Sequence, residues 1–134
     1  MKASDLLVRC LEVEGIEYIF GVPGEENADF MMSLQQSEQI QFILTRHEQG
    51  AAFMAEVYGR LTGQPAGCLG TLGPGATNLI TGVADCNMDR SPMLGLTGQG
   101  GTRRLHKESH QIMDVVEMFQ PVTKWATSII NADT

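Results

Sequence analysis

Short apolar runs alternate with amphipathic stretches along this chain, and each run closes on a turn carrying glycine or threonine. No other feature restricts the fold as strongly. Residues 17–20 end at Gly21-Val22-Pro23-Gly24, residues 39–44 at Thr45-Arg46-His47-Glu48, residues 66–72 at Gly73-Pro74-Gly75, and residues 92–97 at Gly98. Runs this short and this apolar suit strands buried on both faces, and alternation of strand with helix predicts a parallel sheet. The expected fold is therefore α/β, a doubly wound parallel sheet with helices on both faces, formed as one domain by residues 1–134.

The predicted helices follow from caps and periodicity. The first starts at an N-cap Ser4, places Leu6, Leu7, Cys10 and Leu11 at helical spacing, and ends at Gly15. The second covers residues 25–36 with Phe30, Met31 and Leu34 inward, the third residues 46–62 before Gly63, and the fourth residues 76–87. A short helix over residues 111–117 is broken by Pro121. In such sheets ligands bind beyond the carboxyl ends of the strands. The turns at 21–24, 45–48, 71–75 and 97–101 should thus converge on one edge, which becomes the candidate site.

Composition excludes several classes. At 43% apolar and 19% charged residues the chain is globular rather than disordered, and 134 residues suit a single core. A net charge of −7 argues against nucleic acid or an anionic membrane as partner. The apolar runs are too short to span a bilayer, and Met1 leads into a polar helix start rather than a signal segment. Cys10, Cys68 and Cys86 form no CxxC pair and are expected to be buried, reduced thiols of a cytoplasmic protein. Residues 128–134 read as the start of a new segment, so a piece of a longer polypeptide is expected.

Glu48 is the residue on which function turns. Thr45-x-x-Glu48 matches a capping box, in which the carboxylate reaches back to the Thr45 amide and only ties off a helix. Against this stands a face of small residues, Ala51, Ala55 and Gly59, with Ala52 alongside. Such a face admits a second backbone or a flat ligand; tight helix packing is its plainer explanation. Gly73-Pro74-Gly75-Ala76-Thr77-Asn78 opens a helix whose amides could hold a phosphate. The pattern fits neither GxxxxGK[ST] nor GxGxxG, so close backbone approach is the alternative use of its glycines. His47, His106 and His110 lack metal-ligand spacing, and Asp85 and Asp89 read as surface carboxylates. Arg103-Arg104 with Lys107 is a basic loop cluster, either solvated or facing an anionic substrate.

Taken in order, Phe20-Gly21-Val22-Pro23-Gly24, Arg46-His47-Glu48 with Ala51-Ala52 and Ala55, Gly73-Pro74-Gly75-Ala76-Thr77-Asn78 and Thr97-Gly98-Gln99 resemble the pyrimidine-binding domain of thiamine-diphosphate enzymes, above all the acetolactate synthases. His110-Gln111, Met113-Asp114 and Pro121-Val122-Thr123-Lys124 look most like the catabolic, acetoin-pathway branch, whereas biosynthetic members commonly carry phenylalanine where His110 stands. Glu25-Glu26-Asn27 departs from the glycine-rich continuation of many biosynthetic members.

The resemblance implies a mechanism and a set of roles. The glutamate matched by Glu48 hydrogen-bonds N1′ of the cofactor's aminopyrimidine, favouring the imino tautomer that takes the proton from thiazolium C2. A 2-oxo acid such as pyruvate then loses carbon dioxide, and the remaining fragment passes to a second 2-oxo acid. Val22, Pro23, Gly24, Gly73, Thr77 and Asn78 are implied to approach the pyrimidine, and His110 and Gln111 to face the substrate, beside a catalytic Glu48. The family holds the diphosphate through magnesium on another domain bearing a Gly-Asp-Gly motif, which this chain lacks, so no metal ligand is assigned here. Whether a middle domain carries FAD is left open. The resemblance implies a site formed between subunits of a homodimer or tetramer, so this chain alone is expected to bind cofactor weakly or not at all and to catalyse nothing. Three alternatives stand beside this reading: another 2-oxo-acid decarboxylase of the superfamily, a stand-alone α/β domain binding a phosphate ligand, and a non-catalytic assembly domain whose small-residue face serves dimer contact.

Overall fold

The computed structural model describes residues 1–104 and 107–133. Four parallel strands, β1 (Tyr18–Gly21), β2 (Gln41–Leu44), β3 (Ala66–Gly70) and β4 (Met93–Thr97), form one sheet in the order β2-β1-β3-β4. Five α-helices alternate with them: α1 (Ala3–Val13), α2 (Ala28–Leu34), α3 (Glu48–Thr62), α4 (Pro74–Asp89) and α5 (Val115–Phe119). Single 3-10 turns precede α2 (Glu25–Asn27) and follow α5 (Gln120–Val122). Register aligns Gly21 with Leu44 and with Leu69, and Gly70 with Thr97, so the four strands end level with one another. The doubly wound parallel sheet expected from alternation is what forms.

The pleat sorts the core into two layers. Ile19 and Leu69 point to one face with Phe42, Leu94 and Leu96, and meet Val8, Leu11 and Leu34 of α1 and α2. Ala66 and Cys68 point to the other with Tyr18, Phe20 and Met93, under α3, α4 and α5. On that second face the side chains are small because the helices come very close. Ala51, Ala52 and Ala55 are fully buried. A Cβ on Gly59 would lie 2.3 Å from the Pro92 carbonyl oxygen, and one on Gly82 would lie 2.5 Å from the Ala52 Cβ. The Ala51-Ala55-Gly59 face is therefore spent on packing within the domain and carries no argument for a dimer contact.

Several boundaries differ from the expectation for identifiable reasons. α1 is capped by Lys2, whose amide donates to Asp5 Oδ2 at 3.1 Å, and Ser4 sits inside the first turn. The helix is also rotated from the predicted face: Val8 and Leu11 are buried, while Leu6 and Cys10 are exposed. Cys10 is thus not one of the buried thiols, whereas Cys68 and Cys86 are. Burial pushes the Cys68 thiol up to about 12 and that of Cys86 up to about 11. α4 begins at Pro74, whose fixed φ suits a first helical position, and runs on to Asp89. The last helix starts only at Val115, because Gln111 has φ +56° and the Asp114 carboxylate caps the Glu117 amide at 2.8 Å. His106 lies outside the described residues. No helix among the described residues is long and apolar enough to cross a membrane.

Candidate functional site

The level strand ends bring the four predicted turns together at the carboxyl edge of the sheet. The Gly70 carbonyl at the end of β3 anchors two of them: it accepts from the Gly98 amide at 3.2 Å and from Asn27 Nδ2 at 3.4 Å. Asn27, 5% exposed, also accepts the Gly24 amide on Oδ1 at 2.9 Å. One buried amide so ties the turn after β1 to the end of β3. Sequence reasoning passed over Asn27, although a polar side chain three residues after an N-cap is placed to reach back to the cap amide, as in a capping box. Gly24 itself lies against Thr71, since a Cβ there would stand 2.2 Å from Thr71 Cγ2. Val22 is half-buried with its amide on the Leu69 carbonyl at 3.1 Å, and Pro23 is exposed beside it.

Glu48 is the first residue of α3, and its half-buried carboxylate does not close a capping box. The Thr45 amide is already taken by the Gly21 carbonyl at 2.9 Å, as an extension of the strand ladder. The helix is capped by His47, whose Nδ1 accepts the Gln49 amide at 3.2 Å. The carboxylate is instead turned across to α4, where Oε2 accepts from Asn78 Nδ2 at 3.0 Å. Oε1 has no donor among the described residues. It lies 3.4 Å from the point where a Cβ on Gly75 would stand, and Thr71 Oγ1 lies 3.0 Å from that same point. Glycine at 75 therefore leaves that carboxylate oxygen uncrowded from the α4 side.

The segment after β4 folds back over the same edge. Gln99 Nε2 donates to the Met113 carbonyl at 3.0 Å. A Cβ on Gly73 would lie 2.7 Å from the Gln111 Cβ, so the two backbones are pressed together, and both hold positive φ. For glutamine the left-handed region is strained, and such strain is held in place by its surroundings. The structure thus brings together Gly24, Thr71, Gly75, Glu48 and Asn78, with Gln111 against Gly73 at the side. His110 is exposed next to Gln111, and no hydrogen bond or ion pair among the described residues ties it to Glu48. Thr77 is also exposed, its hydroxyl donating to the Pro74 carbonyl at 2.9 Å.

Two features elsewhere do not compete for this role. An open cleft of about 630 Å³ lies at the opposite, amino ends of β1 and β2, beside Gly15, Glu17, Glu38 and Gln41. It is at the far end of the strands from the converging turns. Glu56, Asp85 and Asp89 bring their carboxylates together, but Arg60 already sits among them. Asp85 and Asp89 are ion-pair partners of Arg60.

Residues 1–118 match the family model described as "Thiamine pyrophosphate enzyme, N-terminal TPP binding domain". The chain is 42% identical over 124 residues to a probable acetolactate synthase large subunit of Methanocaldococcus jannaschii, covering 92% of this chain and 21% of that protein. It is 39% identical over 128 residues to an acetolactate synthase of Bacillus subtilis, covering 96% and 22% respectively. With a chloroplastic acetolactate synthase of Arabidopsis thaliana the identity is 41% over 123 residues, covering 92% and 18%. The chain spans about a fifth of the length of the curated relatives it matches.

Proposed function

The chain belongs to the N-terminal TPP binding domain family of thiamine pyrophosphate enzymes, and from that premise we propose that it supplies the pyrimidine-binding half of an acetolactate synthase-like active site. In that reading pyruvate is decarboxylated and its two-carbon fragment is joined to a second 2-oxo acid. The diphosphate and its magnesium are held by residues outside this chain, on another subunit of a homodimer or tetramer in the cytoplasm.

The residues present suit the cofactor's ring. The observation that carries the reading is Glu48 Oε1, an acceptor with no donor among the described residues, beside Gly75, which has no side chain to crowd it. A heteroaromatic ring with an N–H group would give that oxygen its missing donor. When bound, thiamine diphosphate supplies a nucleophilic carbon that adds to a ketone and holds the electrons left by departing carbon dioxide.

This chain's own residues then have defined tasks. Glu48 accepts the ring N–H and holds the shared proton at Oε1. Gly24 and Gly75, lacking side chains, let the turns after β1 and β3 approach the ring, with Val22 and Pro23 shaping one wall and Gly73 and Thr77 the helix entry. Gln111, fixed against Gly73, and the exposed His110 face the acceptor side. Acetolactate formation from pyruvate, with thiamine diphosphate and magnesium, tests the reading on the product of the complete reading frame. Acetolactate in the parent is expected; carbon dioxide without acetolactate points instead to a simple 2-oxo-acid decarboxylase.

A further inference from the structure

We infer that Asn78 is a positioning residue for Glu48, and that its side-chain amide selects which carboxylate oxygen is left free for the cofactor ring. The inference rests on the reading of Glu48 given above. Three observations support it. Asn78 lies one turn into α4, 30 residues from Glu48, and its Nδ2 is the single donor to that carboxylate among the described residues, at 3.0 Å. The orientation of the amide follows from chemistry, because its carbonyl oxygen facing a carboxylate would be repulsive. With Oε2 occupied, Oε1 is the oxygen beside Gly75.

The two helices give this bond its rigidity. A glutamate side chain has three rotatable torsions, and a half-buried one with no partner would sample several rotamers. α3 and α4 are closely packed, a Cβ on Gly82 standing only 2.5 Å from the Ala52 Cβ. The amide at 78 and the carboxylate at 48 are therefore presented from two closely packed helices, and the hydrogen bond restricts the remaining side-chain freedom. Asparagine is a modest helix former, so its place inside α4 is explained by this contact rather than by local propensity.

The test compares binding of thiamine diphosphate with binding of an analogue whose pyrimidine N1′ is replaced by carbon. Both are titrated calorimetrically, with magnesium, into the product of the complete reading frame. The parent should prefer the true cofactor, and Glu48→Gln should lose that preference. Asn78→Leu, which keeps the bulk, and Asn78→Ser, whose hydroxyl falls short of the carboxylate, should each reduce the preference about tenfold, the scale of one hydrogen bond to a charged group. A merely structural Asn78 would weaken both ligands alike. Preference lost in Glu48→Gln but kept in both Asn78 variants overturns the inference. Absence of any preference in the parent overturns the reading of Glu48 itself, and the inference with it.

Discussion

Replacing Gly59 by alanine sets two opposed effects against each other on one helix. Gly59 lies inside α3, where alanine should gain about 1 kcal/mol of helix propensity. The added Cβ, however, would stand 2.3 Å from the Pro92 carbonyl oxygen, with Pro92 Cδ at 3.2 Å. Ordinary contact begins near 3.4 Å, so α3 must retreat by roughly 1 Å from the backbone that leads into β4. A backbone carbonyl cannot swing aside as a side chain can. The retreat would also unseat Ala52 and Ala55 from the sheet and lengthen the Ser91 Oγ to Glu56 bond of 3.2 Å. Overpacking of this kind costs about 3 kcal/mol, which leaves a net loss of about 2 kcal/mol. The control is Gly50→Ala in the first turn of the same helix, where an added Cβ meets nothing within 4 Å and should stabilise by up to about 1 kcal/mol. Urea titration of both variants reads the two signs from the midpoints, provided the slope is unchanged. A Gly59→Ala protein as stable as its parent would refute the claim that this face is spent on internal packing.

Other consequences follow from single contacts. Asn27→Leu strands the half-buried Gly24 amide and removes one partner of the Gly70 carbonyl, and should cost about 2 kcal/mol in the same titration. Arg60→Met leaves the Glu56 carboxylate, 2% exposed, with only the Ser91 hydroxyl, for a loss of about 3 kcal/mol; adding Glu56→Gln should restore most of it. Cys68 and Cys86 stay neutral in the fold up to about 12 and 11, whereas unfolded thiols ionise from about 9. Their contribution to stability is therefore complete below pH 9 and falls as pH rises toward 12. At pH 8 a thiol reagent should label Cys10 alone in the native protein, a count that mass spectrometry gives directly.

The carboxyl edge was legible in the sequence because the turns carry their own chemistry: each apolar run ends on glycine or threonine, and the parallel alternation places all such ends on one side. What Glu48 does there was not legible from its local pattern. Thr45-x-x-Glu48 reads as a capping box until the sheet is formed, and only then is the Thr45 amide seen to be spent on the Gly21 carbonyl. The rotation of α1 escaped for a similar reason. Leu6, Leu7, Cys10 and Leu11 share a face with helical spacing, but Val8 with Leu11 does so too, and which set turns inward depends on the sheet beneath. The late start of α5 depends on the backbone of Gln111, which is held at φ +56° by contact with Gly73 rather than by its own preference. Tertiary contact, in each instance, chose between local patterns of similar merit.

Carbon dioxide release from pyruvate, with thiamine diphosphate and magnesium present, tests the central role of Glu48 most directly when the product of the complete reading frame is compared with its Glu48→Gln variant. The account predicts release from the parent and a fall of at least about a hundredfold in the variant, the scale of losing a positioned proton acceptor. Equal release from the two proteins would contradict it.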